Sequence, residues 1–323
     1  MRRILIAYLL FAALTVAQAP EPIKAVVVTM FERDADTGDE PGEFQFWVER
    51  AKLDKVYPNP GGHHNLRSNG KGLLGMVTGV GTARAAASVM SLGMDPRFDL
   101  RKAYWLVAGI AGVDPNKASV GSAAWAEHVI DSDLAFEIDA REIPKDWANG
   151  LRPLSRGRGL AFQLDPKLVN WAVSLTKDIQ LEDTENLQKA RARYTAYPNG
   201  KRPPFVLKGD TMSGGRFWHG KLMNDWANQF MREMTDGKGD FVTTAMEDSG
   251  TLQALHYLSR AGKVDVSRVL VLRTASNYSM PPAGESAAES LLGNSKQHYS
   301  GYRESLEAAY RVGMAVVAEW LKK

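Results

Sequence analysis

A chain of 323 residues, of which 44% are hydrophobic and 24% charged, has the composition of a globular protein with one large α/β domain or two small ones. Its formal net charge is +3, and Arg2 and Arg3 in the leader supply two of the positive charges, so the nearly neutral remainder argues against binding to nucleic acid or an anionic membrane. The chain has no cysteine, which excludes disulfides, thiolate zinc sites and cysteine nucleophiles.

The first residues predict a secretory signal peptide. MRRILIAYLLFAALTVAQAPEP has a basic start, an apolar run and small residues after it. We favour cleavage after Ala17, because Pro20 disfavours a cut after Ala19. The predicted organisation is a signal peptide at 1–17 and a single domain at 18–323, with the mature protein periplasmic or secreted. The alternative is an uncleaved anchor, although the apolar run is shorter than the ~20 residues that span a bilayer.

Beyond the leader, short apolar strands alternate with helices. The predicted strands are 23–30, 75–78, 104–108, 122–130, 205–207, 241–244 and 269–272, and the predicted helices are 43–52, 83–92, 166–180, 217–234, 248–260 and 301–321. This alternation predicts an α/β fold, a three-layer αβα sandwich whose central sheet is mixed and mostly parallel and is flanked by helices. Ligands bind beyond the carboxyl ends of the strands in such sheets.

Polar residues follow five of these strands. The segments are 29–33, 78–84, 209–213, 245–250 and 273–277. Gly79 and Gly81 let the backbone approach a ligand at the start of a helix, although such glycines also occur for packing alone. The dinucleotide fingerprint would need glycine in place of Arg84, which argues against a nicotinamide cofactor. Glu247 and Asp248 begin a helix, where they either cap it or offer a carboxylate to a sugar diol.

The six histidines do not show the spacing of a metal site. His63 and His64 are adjacent in a predicted loop, and the others are scattered along the chain. We therefore predict no metal. His219 is the histidine of most interest, because it lies shortly after the polar segment 209–213.

Together the strand-end segments resemble the nucleoside phosphorylase and nucleosidase superfamily, and more closely the purine nucleoside permease family. The segments that show the likeness are Gly79-Val80-Gly81, 83–92, Gly109-Ile110-Ala111-Gly112, the strand from Gly121, 209–213, Asn224-Asp225-Trp226-Ala227-Asn228, 246–255 and 272–282. The resemblance covers nearly all of the chain after the leader. It implies a nucleoside phosphorylase-like fold and a site for a purine nucleoside.

The resemblance also implies roles for individual residues. It places Glu247 on the 2′- and 3′-hydroxyls of the ribose and Met246 against the sugar, with Phe217 and Trp218 either stacking on the base or packing in the core. The complete set of implied substrate-binding residues is Thr78, Gly79, Gly81, Arg84, Asp210, Thr211, Met212, Ser213, Met246, Glu247 and Ser276.

Two residues are implied in catalysis. Glu32 resembles the glutamate that activates water in nucleosidases, and a carboxylate there favours hydrolysis over phosphorolysis because it repels phosphate. Asn277 stands where nucleosidases have Asp. An amide cannot give purine N7 a full proton, but it can hydrogen-bond the base, which shifts the expected substrate towards 6-oxopurines. Arg84 is either a phosphate ligand or a surface ion-pair partner.

Two functions remain open from the sequence. The first is an exported purine nucleoside hydrolase or phosphorylase without a cofactor, using phosphate as co-substrate only in the second case. The second is a nucleoside-binding component of uptake that passes intact nucleosides to a membrane partner. In either case the superfamily resemblance implies a homo-oligomer.

Overall fold

The computed structural model describes residues 19–147, 149–154, 160–296 and 300–323, and the predicted signal peptide at 1–17 lies outside these residues. The strands are β1 (Glu21–Pro22), β2 (Ala25–Thr29), β3 (Lys55–Tyr57), β4 (Leu66–Ser68), β5 (Leu73–Val77), β6 (Phe98–Asp99), β7 (Tyr104–Val113), β8 (Ala123–Ala126), β9 (His128–Asp131), β10 (Ala135–Glu137), β11 (Leu151–Pro153), β12 (Ala161–Gln163), β13 (Val206–Lys208), β14 (Asp210–Ser213), β15 (Phe241–Ala245) and β16 (Val269–Tyr278). The helices are α1 (Gln45–Arg50), α2 (Thr82–Gly93), α3 (Pro166–Thr176), α4 (Glu185–Ala192), α5 (Lys221–Met234), α6 (Asp248–Arg260), α7 (Ala287–Lys296) and α8 (Tyr302–Lys322).

Twelve of the described strands form one mixed sheet, and its order is β12-β9-β14-β15-β7-β2-β5-β4-β3, with β16, β8 and β13 joined beside β7. β7 pairs in parallel with β2 and β16, whereas the end of β7 pairs antiparallel with β15. The prediction of a mixed sheet flanked by helices is therefore confirmed. The arrangement places the carboxyl ends of β2, β15 and β16 along the second half of β7.

The two longest strands, β7 and β16, are covered over most of their length by helices and neighbouring strands. All ten residues of β16 are buried, including the polar half that begins at Arg273. Helix α8 packs on both strands. A Cβ on Gly313 of α8 would lie 2.9 Å from the Trp47 ring, so glycine there lets α8 pack closely against α1. Strands covered on both sides have the continuous hydrophobic runs seen at 104–108 and 269–272.

Helices α2 and α6 pack side by side, and a glycine lies near each end of their contact. A Cβ on Gly93 would lie 2.2 Å from Leu258, and a Cβ on Gly250 would lie 2.1 Å from the backbone oxygen of Thr82. Only hydrogen at these positions allows such an approach. This packing places the start of α2 beside the start of α6, so Gly81 and Glu247 come within hydrogen-bond distance.

Several element bounds differ from the predicted ones for reasons of pairing. β7 continues through the glycine-rich 109–112 to Val113, because β16 and β15 supply hydrogen-bond partners there. The predicted strand 122–130 is divided at Glu127 into β8 and β9, which pair with different neighbours. Among the described residues, no helix has both the length and the hydropathy needed to cross a membrane.

Candidate functional site

A cavity of about 450 Å³ lies beyond the carboxyl ends of β2 and β15 and beside the last residues of β16, along the second half of β7. Its volume falls within the usual range for small-molecule sites, and its position is the one expected for ligands of parallel sheets. Polar side chains reach it from the ends of β15 and β16 and from the loop before α1, and they include Glu43, Glu247, Ser276 and Asn277. Apolar side chains form much of the remaining wall, including Met30, Ile110 and Met246.

Glu43 is the buried carboxyl group on one side of the cavity. It lies just before α1, and its two oxygens accept the backbone N–H groups of Met30 and Ile110, each at 2.7 Å. The pKa of Glu43 is raised to about 8, chiefly by burial; the charge of Glu247 adds to the rise, whereas Arg273 and the two N–H groups oppose it. A carboxyl group that titrates near neutral pH is suited to proton transfer.

Glu32, which the sequence analysis proposed for catalysis, does not line this cavity. Its carboxylate accepts backbone N–H groups instead, and the donors are Arg33, Gly42, Phe44 and Gln45. Of these two glutamates, the structure brings Glu43 into the cavity lining. The sequence contained a signal for this choice, because Glu43 is the first residue of the predicted helix 43–52 and follows the breakers Pro41 and Gly42.

Glu247 supplies the second buried carboxyl group that lines the cavity. It is 5% exposed and directly precedes α6. One oxygen accepts the N–H of Gly81 at 3.2 Å, and the other accepts the N–H of Met246 at 3.3 Å and a guanidinium N–H of Arg273 at 3.2 Å. Burial raises the pKa of Glu247, Arg273 opposes that rise, and Asp248 adds to it.

Arg273 joins these acids into one buried network. Its Nε lies 3.0 Å from each oxygen of Asp248, and its Nη2 lies 2.5 Å from Asp248 Oδ1. Burial by itself would lower the pKa of Arg273, but Asp248 and Glu247 hold it above its ordinary value. A Cβ on Gly109 would lie 2.6 Å from Arg273 Nη1 and 2.7 Å from Glu43 Oε1. Glycine at this position leaves room for both groups.

The ion pair between Asp248 and Arg273 is not indicated by the spacing of these two residues in the sequence. The adjacent acids at 247 and 248 suggested helix capping, whereas the structure directs both towards one guanidinium. The polar residue that follows the apolar run 269–272 was the available signal. An arginine within a buried strand requires a buried anion, because an unpaired charge there is costly.

Ser276 and Asn277 both face the cavity at an irregularity in the pairing of β16 with β7. The Asn277 Nδ2 lies 3.2 Å from the Tyr278 carbonyl, and Oδ1 lies 2.9 Å from Ser276 Oγ. Because a carbonyl oxygen only accepts, the amide nitrogen must face Tyr278, and the Ser276 hydroxyl then donates to Oδ1. One N–H of Asn277 remains for a ligand.

The glycine turn after β5 contributes backbone rather than a phosphate-binding side chain. Val80 lines the cavity, and the N–H of Gly81 bonds to Glu247. The hydroxyl of Thr78 is buried and donates to the Gly79 carbonyl at 3.0 Å. Arg84 is exposed, lies outside the cavity lining, and donates to the Val80 carbonyl at 3.0 Å.

The four predicted substrate-binding residues of β14 are buried behind the cavity wall. β14 lies between β9 and β15, so β15 separates it from β7. Asp210 accepts the backbone N–H groups of Glu127, His128 and Asp240. Thr211 bonds to Thr243, and Ser213 bonds to Ser249. Met212 belongs to the same apolar cluster as Phe230. The structure therefore does not bring these four side chains into the lining.

The rim contains aromatic residues and one arginine. The Arg33 guanidinium lies 4.9 Å from the centre of the Tyr302 ring and pairs with Glu40. Phe217, which the sequence analysis proposed for stacking, is half exposed at the rim, whereas Trp218 packs 6.1 Å from Phe241 in the interior.

His219 supports the rim without lining the cavity. Its ring nitrogens lie 3.1 Å from the Tyr278 carbonyl and 3.0 Å from Ser290 Oγ, and burial lowers its pKa. Within the described part of the chain, no three His, Asp or Glu side chains are grouped as a metal site.

Comparison with known proteins identifies the family. The sequence pattern of the purine nucleoside permease family matches residues 22–323. This chain belongs to that family. It is 29% identical over 306 residues to a probable purine nucleoside permease of Schizosaccharomyces pombe, and the aligned region covers 86% of this chain and 83% of that protein. It is also 29% identical over 300 residues to the purine nucleoside permease of Candida albicans, covering 88% of this chain and 72% of that protein.

Solved structures show which fold this permease-family chain adopts. A 5′-methylthioadenosine/S-adenosylhomocysteine nucleosidase of Neisseria meningitidis matches 92% of this chain and all of its own, with a TM-score of 0.52 and 16% identity. The futalosine hydrolase of Helicobacter pylori matches 93% of this chain and 98% of its own, with a TM-score of 0.54 and 15% identity. At these identities the likeness concerns the fold, and the predicted nucleoside phosphorylase-like fold is confirmed.

Proposed function

We propose that this permease-family protein binds purine nucleosides in the strand-end cavity and cleaves their N-glycosidic bond, with hydrolysis favoured over phosphorolysis. The observation that supports it most directly is the convergence of Glu43, Glu247 and Asn277 on one cavity. Cleavage builds positive charge on the ribose and negative charge on the departing purine. Two carboxyl groups and an uncharged N–H donor meet these requirements.

Each group has a distinct task in this proposal. Glu247 accepts hydrogen bonds from the ribose hydroxyls while Arg273 holds its carboxylate in place. Glu43 takes a proton from water as the water oxygen bonds to C1′. The C1′–N9 bond breaks, its electron pair leaves with the purine, and the free N–H of Asn277 bonds to N7. The proton on Glu43 then returns to the base through solvent, which completes the turnover.

The charges around the cavity favour water over phosphate. Glu43 and Glu247 line it, and Arg273 is already occupied by Glu247 and Asp248. The rim cation Arg33 pairs with Glu40. A phosphate dianion would find no uncommitted arginine among the lining residues, and above about pH 8 it would also face the charged Glu43, which is unfavourable.

The deciding experiment measures free base released from inosine, guanosine and adenosine by the purified protein, with and without phosphate. Release without phosphate supports hydrolysis, and release that requires phosphate shows phosphorolysis. Glu247→Gln should reduce release about 100-fold or more, because the ribose contact and its orientation are lost together. Glu185→Gln, an exposed carboxylate on α4, is the matched control. The absence of base release under all conditions would refute the cleavage proposal.

A second function is binding without turnover, as the nucleoside-capturing component of an uptake system with a membrane partner. The relatives named as permeases and the amide at Asn277, which cannot protonate a leaving base, favour this alternative. Binding without turnover would be supported if calorimetry shows that a nucleoside binds and the nucleoside is afterwards recovered intact. Rapid turnover would argue against it as the sole role.

We also propose export of the mature protein after cleavage at Ala17, as the leader predicts. Mass spectrometry of the protein from an extracytoplasmic fraction should show an N-terminus at Gln18. An intact N-terminus in the cytoplasmic fraction would contradict export. Sedimentation of the same material tests the expected homo-oligomer, and a monomer at all concentrations would contradict it.

A further inference from the structure

We propose that Glu32 is a positioning residue whose carboxylate fixes the backbone on both sides of Glu43 and thereby holds the Glu43 carboxyl group in the cavity. The kinetic part of this inference rests on the proposed function of Glu43. The geometric part does not, because it concerns how the segment from Glu32 to α1 is held. We call Glu32 and the backbone N–H groups bonded to it the Glu32 clamp.

The clamp encloses Glu43 in sequence and in space. Three of the four donors to Glu32 belong to the residues immediately around Glu43. One carboxylate oxygen accepts from Arg33 at 2.8 Å and from Gly42, and the other accepts from Phe44 at 2.8 Å and from Gln45 at 2.5 Å. The Glu43 N–H itself donates to the Phe31 carbonyl at 3.0 Å. Every backbone N–H from 42 to 45 is thereby held.

The clamp supplies what the short helix α1 lacks. Phe44 occupies the N-cap position of α1 and makes no side-chain capping bond. The first N–H groups of a helix need acceptors from outside, and Glu32 provides two of them from twelve or thirteen positions earlier in the chain. Burial raises the pKa of Glu32, and the four N–H groups oppose that rise.

Gly42 is the second part of the clamp. A Cβ at this position would lie 2.6 Å from Glu32 Oε1 and 2.7 Å from Glu32 Cα. The two segments therefore meet at a distance that only glycine allows. Gly42→Ala would separate them without removing a carboxylate, so it perturbs the clamp by a route independent of Glu32 itself.

The position of Glu43 depends on this segment, whereas most other proposed ligand contacts do not. Glu43 reaches the N–H groups of Met30 and Ile110 from the loop that the clamp closes. Glu247 and Asn277 come from β15 and β16 and hold the ribose and the base. Displacing Glu43 should therefore reduce turnover while leaving nucleoside affinity nearly unchanged. Rates must be expressed per folded protein, because loss of folded protein would lower the apparent kcat in the same way.

The experiment compares Glu32→Gln and Gly42→Ala with the wild type, and uses Asp34→Asn, an exposed carboxylate in the same loop, as control. A glutamine offers one acceptor oxygen, so two of the four backbone bonds lose their acceptor in either amide orientation. We expect kcat for inosine to fall about 100-fold in both clamp variants, since small displacements of a reacting group have effects of this size, with KM changed less than about twofold. Glu32→Asp should recover part of kcat.

A second readout does not require turnover. The Glu43 carboxyl is titrated by carbon NMR and identified by the signal that Glu43→Gln removes. In both clamp variants its pKa should fall from about 8 towards the ordinary value, because the group leaves its buried position. Unchanged kcat together with an unchanged Glu43 pKa would overturn the inference. A wild-type protein that releases no base would overturn the proposed function alone, and the titration would then decide the clamp.

Discussion

Replacing Arg273 by methionine should strongly destabilise the protein. The guanidinium is 1% exposed and contacts Asp248, which is fully buried, and Glu247, which is 5% exposed. Methionine fills much of the same space but supplies none of the donors, so two acids remain buried without their cation. Removing one partner of a buried ion pair typically costs about 3–5 kcal/mol, and we expect a loss in the free energy of unfolding of that order.

The loss should depend on pH in a defined direction. Buried carboxyl groups without a nearby cation bind protons more tightly in the folded protein than in the unfolded chain. The folded Arg273→Met variant therefore holds more protons than its unfolded form above the ordinary carboxyl range, and its stability falls as pH rises. The difference from the wild type should be smaller at pH 5 than at pH 8.

Urea unfolding followed by tryptophan fluorescence at these two pH values measures both effects. Arg311→Met is the matched control, because Arg311 is 41% exposed and lies 3.6 Å from Glu182 and Glu307. An exposed pair of this kind is worth about 0–1 kcal/mol. If Arg273→Met cost no more than Arg311→Met at pH 8, the reasoning about the buried network would be refuted.

Three further changes test other parts of the structure. Glu43→Gln should destabilise the fold by about 1–3 kcal/mol in urea unfolding, because its amide turns a donor towards one of two buried backbone N–H groups, and it should abolish the titration of base release near pH 8. A variant as stable as the wild type would contradict this. Asn277→Asp should raise the rate on adenosine relative to inosine in a base-release assay, since a carboxyl group can protonate N7, and an unchanged ratio would argue against contact with the purine. Gly250→Ala should cost about 1–3 kcal/mol and weaken nucleoside binding in calorimetry, because its Cβ meets the Thr82 carbonyl at 2.1 Å and moves α2 from α6. Unaltered stability would show that the helices adjust freely.

The spacing of apolar residues predicted the bounds of a helix well where residues within that helix determine which of its sides is buried. The predicted helix 248–260 has the same bounds as α6, and the closing helix 301–321 differs from α8 by one residue at each end. The end of β7 was less accessible to prediction. Residues 109–112 are small and glycine-rich and have no strand signature of their own, and they are extended because β15 and β16 pair with them.

The predicted site residues also divide into those that the strand-end rule located correctly and those whose place depends on the order of strands in the sheet. Met246 and Glu247 follow β15, and Ser276 and Asn277 lie near the end of β16, so the rule that ligands bind at strand ends was sufficient to find them. Asp210 to Ser213 satisfy the same rule, yet their strand lies one position further along the sheet and faces other partners. Strand order cannot be obtained from the periodicity of a single strand.

By itself, the sequence determined the alternation of strands and helices, the polar strand ends and the family likeness, because each depends on residues close together in the chain. Only the tertiary structure decided which carboxyl groups meet. Glu43 and Arg273 are 230 positions apart, and both approach the space that Gly109 leaves open. The loop between β2 and α1 folds back on itself, so that Glu43 lines the cavity whereas the carboxylate of Glu32 bonds to the backbone of that loop. The pKa of Glu43 follows from that burial, which no local pattern encodes.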